Sequence, residues 1–468
     1  MSSISALNSL LSSSSTSSSG IDLSSLLEAA TGASSPGIDV TAAVNAAVTA
    51  AQAPEQAWES QQSTLQSQTS ALTQIQTDAT NLDNDMQSLN SLSGPLSAMT
   101  VSSSNSSIVS GSAASGSTAG VHVVVVNNLA TTASWSSGTV ASATTALAAG
   151  SFTITAGGTA TTISTGTGTS TLTDVANTIN SDNLGVTANV ITDANGSRLA
   201  IVSNTSGSAA NFTVAAGSGG LSFTQAVDGV NASVTVDGIN IASASNTVTG
   251  AVPGLTLNLL SSSPGTEVSL SVAPDTSQVS SAINQFVSDY NTLVSDLSAQ
   301  FTFSGSGEGV LAGDPTVRSL QSELLGAMGY TSTSGSTTTS LASLGISVGN
   351  DGKLTVNSAT LNNALQNNFS SVQNFFQGTS LNGFANSLDQ QLTSFISPAD
   401  GAFTVDLKSL SSQYSDLQTD ITNFETNYIT PLRTQLQTSY GNAEILLQQL
   451  PTQTQEINTE LGLNNTTH

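Results

Sequence analysis

Acid–base, nucleophilic or metal chemistry would have to be done here with two histidines and thirty acidic residues, because the chain has no cysteine. That removes disulfides, thiolate metal sites and thiol catalysis. His122 stands in the alternating run Val121–Val126 and His468 is the final residue. Neither can be built into a serine–histidine–aspartate set, and His122 is expected as a sheet residue facing one side of a strand. Glu55, Glu59, Asp83 and Asp85 fall in helical stretches. They read as solvated helix surface rather than metal ligands, and no run has the spacing of an EF-hand loop. Asp228 and Asp237 each precede a glycine, so their carboxylates are expected to satisfy their own turns. Two carboxylates could hydrolyse a glycoside, but nothing selects a pair. Aromatic residues make up only 4% of the chain, fewer than a substrate pocket ordinarily uses. The expectation is a protein without catalytic residues, metal or cofactor.

The charge balance narrows the partners. Five Lys and Arg stand against thirty Asp and Glu, and only 7% of residues are charged. The cations (Arg198, Arg318, Lys353, Lys408 and Arg433) are scattered. Nucleic acid and anionic lipid both require clustered positive charge, so neither is an expected partner. The N-terminus lacks a basic region followed by a long apolar core, which argues against a secretory signal peptide. The longest apolar run is the short Val123–Val126, so membrane insertion is not expected. The N-terminus reads as that of a cytosolic protein or of one exported as unfolded chain. So few ionisable groups also predict a surface insensitive to acidic surroundings. With so few aromatics, the cores are expected to be built from small side chains and not from aromatic clusters.

The elements fall into a clear order. Residues 1–36 are a Ser-rich segment with two apolar islands, too polar to offset the entropy of ordering and expected to be disordered alone. Residues 37–92 read as helix, with Asp39 as N-cap and an interruption at Pro54. Beyond it Trp58, Leu65, Leu72, Ala79 and Met86 share one heptad position, and Ile75, Leu82 and Leu89 share its partner, making a coiled-coil seam. Residues 101–274 turn rich in Thr, Val, Ser and Gly. They alternate in strand-like runs, with the pairs Asn195-Gly196, Asp228-Gly229 and Asp237-Gly238 as hairpin turns and one helix at 171–181. Helix returns over 276–297, 315–328 and 358–376, the last capped by Ser358, with a small hairpin around Asn350-Asp351-Gly352. A final helix over 407–450 carries Leu410, Tyr414, Leu417, Ile421, Phe424 and Tyr428 at spacings of four and three, a second seam.

Two seams that water disfavours are expected to pack on each other. The predicted fold is therefore α+β and multidomain: long N- and C-terminal helices paired in a coiled-coil stalk with a helical domain, and an inserted antiparallel β-rich head of two subdomains. Its divisions are expected at 1–36 (disordered), 37–100 (stalk helices), 101–148 with 226–274 (one head subdomain) and 149–225 (the other). The helical domain is expected at 275–404, the returning stalk helix at 405–450 and a flexible tail at 451–468. The seam residues singled out are Leu65, Leu72, Ile75, Leu82, Leu89, Leu417, Ile421, Phe424 and Tyr428.

Several stretches, in this order, resemble the flagellar hook-associated protein 2 family, the flagellar filament caps. They are "SPGIDVTAAVNAAVTAAQAPEQAWESQQSTLQSQTSALTQIQTD" at 35–78 and "VHVVVVNNLATTASW" at 121–135. "TLTDVANTIN" with "GVTANVITDANGSRLAIVS" at 171–203 is similar to a unit of flagellin-related heads. "LAGDPTVRSLQSEL" at 311–324, "SLASLGISVGNDGKLTVNSATLNNALQNNFSSVQNFF" at 340–376 and "QTSYGNAEILLQQL" at 437–450 complete the resemblance. Members usually carry Lys, Arg and Glu along the stalk, where this chain has Gln, Ser and Thr. Pairing is therefore expected to rest on seam packing and amide hydrogen bonds. The resemblance implies an extracellular structural cap at the distal filament tip, exported by a type III apparatus with an export chaperone at its C-terminus. It further implies a small homo-oligomeric ring, flagellin and neighbouring hook-associated proteins as partners, and terminal segments that fold on contact with filament subunits. A hook–filament junction protein, a flagellin-like axial component or a surface adhesin are the alternatives.

Overall fold

The computed structural model describes residues 39–460 except 167–169, 218, 220, 303–308 and 335–336. The Ser-rich lead-in at 1–36 and the chain beyond 460 lie outside the described residues. Two compact units result. Of the described residues, one contains those up to 79, those within 295–321 and those from 393 onward; the other contains those within 80–294 and 322–392.

The helices are α1 (Val40–Ala51), α2 (Ala53–Asn90), α3 (Leu172–Ser181), α4 (Thr276–Phe301), α5 (Pro315–Ala327), α6 (Ser358–Asn367), α7 (Phe369–Phe376), α8 (Phe384–Ile396), α9 (Ala402–Phe424) and α10 (Thr430–Glu460). Asp39 caps α1, its carboxylate accepting from the Ala42 N–H at 2.9 Å. The expected single helix over 358–376 is two. Asn357, not Ser358, is the N-cap, and Asn368 breaks the run at φ −138°. The final helix also differs from its expected span. It begins at Ala402, is interrupted by a π-helical turn at Glu425–Ile429, and continues through Pro451 to Glu460. The flexible tail expected from 451 is thus helical over its first ten residues. Proline costs an interior helix one hydrogen bond and a steric clash, which is why the sequence points to a stop there.

In the second unit, fifteen strands build two β cores. The first core holds β1 (Met99–Ser103), β2 (Val109–Ala113), β3 (Gly120–Asn128), β11 (Ala232–Val236), β12 (Ile239–Ser243), β13 (Thr247–Val252), β14 (Leu255–Leu259) and β15 (Val268–Pro274). They form a five-stranded sheet, β1-β15-β3-β11-β12, and a three-stranded one, β13-β14-β2. Alternation turns Val124, Val126, Val234, Leu257 and Leu270 inward, as the period-2 pattern requires. The second core holds β4 (Ser134–Ser137), β5 (Gly150–Ala156), β6 (Thr159–Thr165), β7 (Val186–Asp193), β8 (Gly196–Ser203), β9 (Phe212–Ala216) and β10 (Phe223–Val227) in sheets β10-β4-β8-β7 and β6-β5-β9. The helix α3 packs there through Leu172, Val175 and Ile179. Its N-terminus is closed by a capping box between Thr171 and Asp174, whose hydrogen bonds hold the Asp174 carboxyl below its ordinary range.

The cores divide near residues 131 and 229, not at 148 and 226. β4 pairs with β8 and β10, so residues 134–137 belong to the second core. Asp228-Gly229 is correspondingly no hairpin turn, because β10 and β11 lie in different sheets. Asp237-Gly238 is one, joining β11 to β12 with φ of 52° and 83°. Asp237 also accepts from His122 Nδ1 at 2.7 Å and from the Val123 N–H at 2.8 Å. Its carboxyl is held below the usual range mainly by the His122 bond. Asp237→Val would lose both bonds and force a β-branched residue into the left-handed region, at a cost of roughly 1–3 kcal/mol. Asp237→Asn keeps the turn. Thermal melts should separate the two, with the Val variant the less stable.

The remaining elements of the second unit are β16 (Thr331–Ser334) paired with β17 (Thr337–Ser340), β18 (Ile346–Val348) paired with β19 (Leu354–Val356), and the helices around them. An aromatic cluster lies here, contrary to the expectation from composition. Phe384 is 5.4 Å from Phe375, 5.8 Å from Phe286, and 5.9 Å from both Phe376 and Tyr330 between ring centroids. The few aromatics of the chain are concentrated rather than spread.

Candidate functional site

The first unit pairs the N- and C-terminal helices. Trp58 on α2 meets Phe424 on α9 edge-on at 5.4 Å. Gln62 Nε2 donates to the Tyr414 carbonyl at 3.4 Å and to Gln418 Oε1 at 3.3 Å, and Gln66 Nε2 donates to the Tyr414 hydroxyl at 3.1 Å. Amides make the bridges that charged pairs would otherwise make, and such bonds contribute about 1 kcal/mol each at most. The apolar contact therefore sets the pairing. Between these helices runs a groove of about 490 Å³ lined by Gln61, Thr64, Leu65, Gln413, Asp416, Leu417 and Asp420.

The nine seam residues separate into four groups. Leu65, Leu417, Ile421 and Phe424 are half-buried in the first unit. Leu72 and Ile75 are fully buried in that unit. Leu82 and Leu89 are also fully buried, but in the second unit. There Gln377 donates its amide to the carbonyls of Leu89 and Ser91 at 3.1 and 3.0 Å. They are core residues of the helical part rather than of the paired leg. Tyr428 is no seam residue: it is 52% exposed, stacked on Phe424 at 5.1 Å. Its place is taken by Ile429, which is completely buried with Val44 and Val48 of α1 in a small separate core. The cause is the π-helical turn at Glu425–Ile429. A π turn carries an extra residue, so the inward position slips from Tyr428 to Ile429. Beyond it Leu436 and Tyr440 flank the same core, and Arg433 donates to Asn45 at 3.4 Å.

Asp83 and Asp85 are not solvated surface. Asp83 is 5% exposed and touches Asp389 of α8, while Asp85 touches Asp289 of α4. Burial first, and then the neighbouring carboxyl, pushes each up to about 7, against a smaller opposing pull on Asp83 from the Gln87 amide. Gln87 Nε2 donates to Asp83 Oδ2 at 2.8 Å. No signal along the chain marks these pairs, because each joins residues over 200 positions apart whose proximity depends on which helix faces which. Among the described residues no group of three or more His, Asp or Glu is placed to hold a metal ion, and no helix is long and apolar enough to cross a membrane.

Comparison with known proteins gives the following. A family model described as the flagellar hook-associated protein 2 C-terminus matches residues 229–451, one described as that protein's N-terminus matches 36–133, and one described as the flagellin hook IN motif matches 151–205. The B-type flagellar hook-associated protein 2 of Pseudomonas aeruginosa is 28% identical over 315 residues, 60% of this chain and 66% of that protein. The flagellar hook-associated protein 2 of Aeromonas caviae is 26% identical over 309 residues, 59% of this chain and 64% of that protein. The chain thus spans a little under two thirds of these relatives. Among solved structures, that of the flagellar cap protein FliD of Escherichia coli, with three domains, is similar at 27% identity and a TM-score of 0.58. The likeness covers 73% of this chain and 99% of that one.

Proposed function

The chain belongs to the flagellar hook-associated protein 2 family, and from that premise we propose that it is a structural, non-enzymatic cap at the distal tip of the bacterial flagellar filament, outside the cell. The observation that carries the reading is the order of parts: helices from both ends of the chain paired through Trp58, Phe424 and the Gln62–Tyr414–Gln418 contacts, with two β cores inserted between them. A cap needs a part that seats among filament subunits and a part that covers the end. Paired terminal helices supply the first, and the inserted β cores supply the second. In this reading the groove over Leu65 and Leu417 faces filament subunits. The terminal segments 1–35 and 451–468 meet those subunits as well. Several copies form the ring that covers the tip, and flagellin folds beneath it and adds to the filament. An export chaperone engages the C-terminus, and neighbouring hook-associated proteins are met on assembly.

Immunogold labelling of intact flagella with antibody to this chain tests the proposal. Gold at the distal tip alone is expected. Gold along the shaft would identify a filament subunit, gold at the base a junction protein, and unlabelled flagella would remove the flagellar role altogether.

A further inference from the structure

The buried carboxyl pairs do not depend on the cap reading. Asp83 and Asp85 are two residues apart on α2, about 200° around the helix, so they address opposite flanks: Asp83 meets α8 through Asp389, and Asp85 meets α4 through Asp289. Asp83 Oδ1 and Asp85 Oδ2 are buried without a hydrogen-bond partner. Two carboxylates in contact with no cation between them repel when both are ionised; the contact holds only while one keeps a proton and donates it to the other.

Among the described residues neither Asp83 nor Asp85 makes an ion pair. On α8 the ionisable group is Asp389, and α7 carries none. The part of α4 in this unit carries Asp289 and Tyr290, whose phenol burial pushes up to about 12. The part of α5 in this unit carries Glu323, and the β18–β19 hairpin, packed on α4 through the Asn291–Leu354 contacts, carries Asp351 and Lys353. Neither Asp83 nor Asp85 feels a cation among the causes of its shift. The end of α2 is also held by the Gln377 amide, which does not titrate.

We propose that the Asp83–Asp389 and Asp85–Asp289 contacts form a proton-held clasp that fastens the end of α2 to α8 and α4 in acidic surroundings and slackens as they turn alkaline. The sign follows from linkage. Asp83 and Asp85 keep their protons in the fold up to about pH 7, against 3.8 for an ordinary aspartate. The folded chain therefore binds more protons than the unfolded one between those values. The clasp's stabilisation is complete below about pH 4 and is lost as pH rises through about 7. The low charge of the surface predicts indifference to acid; the interior makes acid favourable.

Thermal melts of the full chain between about pH 6 and pH 8 test this, since ordinary carboxylates are ionised throughout that window. The melting temperature should fall by roughly 5 °C toward alkaline pH. In the double variant Asp289→Asn with Asp389→Asn, each remaining carboxylate receives an amide N–H and no repulsion. Its melting temperature should be level across the window and above the parent's at about pH 8. Hydrogen exchange, corrected for its intrinsic pH dependence, should show residues 80–90 of the parent opening more readily at the higher pH. A level parent, or a slope that survives in the double variant, would overturn the clasp; the parent's own profile decides even if the variant fails to fold.

Discussion

Leu82→Asp is expected to unfold the helical part of the second unit, whereas Ile421→Asp is expected to cost only about 1 kcal/mol. Both residues lie on the apolar heptad seams read from the sequence, yet Leu82 is completely buried and Ile421 is half-exposed on α9. Truncating a fully buried leucine costs roughly 2–5 kcal/mol, and an unpaired buried carboxylate adds several more. That approaches the whole stability of a typical domain, about 5–15 kcal/mol. Leu82 also adjoins Asp83, so a third carboxyl would be forced in beside the two pairs. At Ile421 the new carboxylate can turn to water, and the loss is part of one apolar contact. Denaturant unfolding followed by far-ultraviolet circular dichroism should show the helical signal of Leu82→Asp lost early, while that of Ile421→Asp stays near the parent. Equal damage from both would mean that the two seams are buried alike, contrary to the structure.

The same contrast shows what periodicity can and cannot convey. The heptad from Trp58 to Met86 reports that one face of α2 is apolar, and that face is buried from Leu72 to Leu89. It does not report against what, because period carries no information about partners. The hairpin turns at Asn195-Gly196 and Asp237-Gly238 are legible, since a backbone at positive φ, as at Gly196, Asp237 and Gly238, leaves a local mark in residue type. Asp228-Gly229 bears the same mark but connects strands of different sheets, which only long-range pairing decides. The break at Asn368 and the π turn before Thr430 carry no proline or glycine. The carboxyl pairs and the aromatic cluster around Phe384 were the least legible. Each gathers residues from elements far apart in sequence, and composition alone points to dispersed, small-residue cores.

Ile429→Asp should detach α1 while its neighbour Tyr428→Asp should do almost nothing. The core joining α1 to the C-terminal helix has three fully buried members, Val44, Val48 and Ile429, with partly buried Val40, Ala51, Phe424, Leu436 and Tyr440 around them. A charge at Ile429 removes the single buried contribution of the C-terminal side. The twelve residues of α1 are too few to stay helical without a partner. The Arg433–Asn45 bond, exposed and 3.4 Å long, adds too little to hold them. Hydrogen exchange at residues 40–51 should then rise to that of open chain, with the β cores unchanged. Tyr428 is 52% exposed, so an aspartate there meets water and loses only the stacking on Phe424, roughly 0.5–1.5 kcal/mol. Without the π turn the heptad would assign the opposite outcomes, making Tyr428 the sensitive position. The pair of variants therefore reads the register of the C-terminal helix directly. It also bears on function: if the paired terminal helices seat a cap among filament subunits, cells carrying Ile429→Asp should export a chain with intact β cores yet grow short or missing filaments. Cells carrying Tyr428→Asp should swim normally. Full-length filaments with Ile429→Asp, despite loss of protection in α1, would show that this helix pairing is not what anchors the protein at the tip.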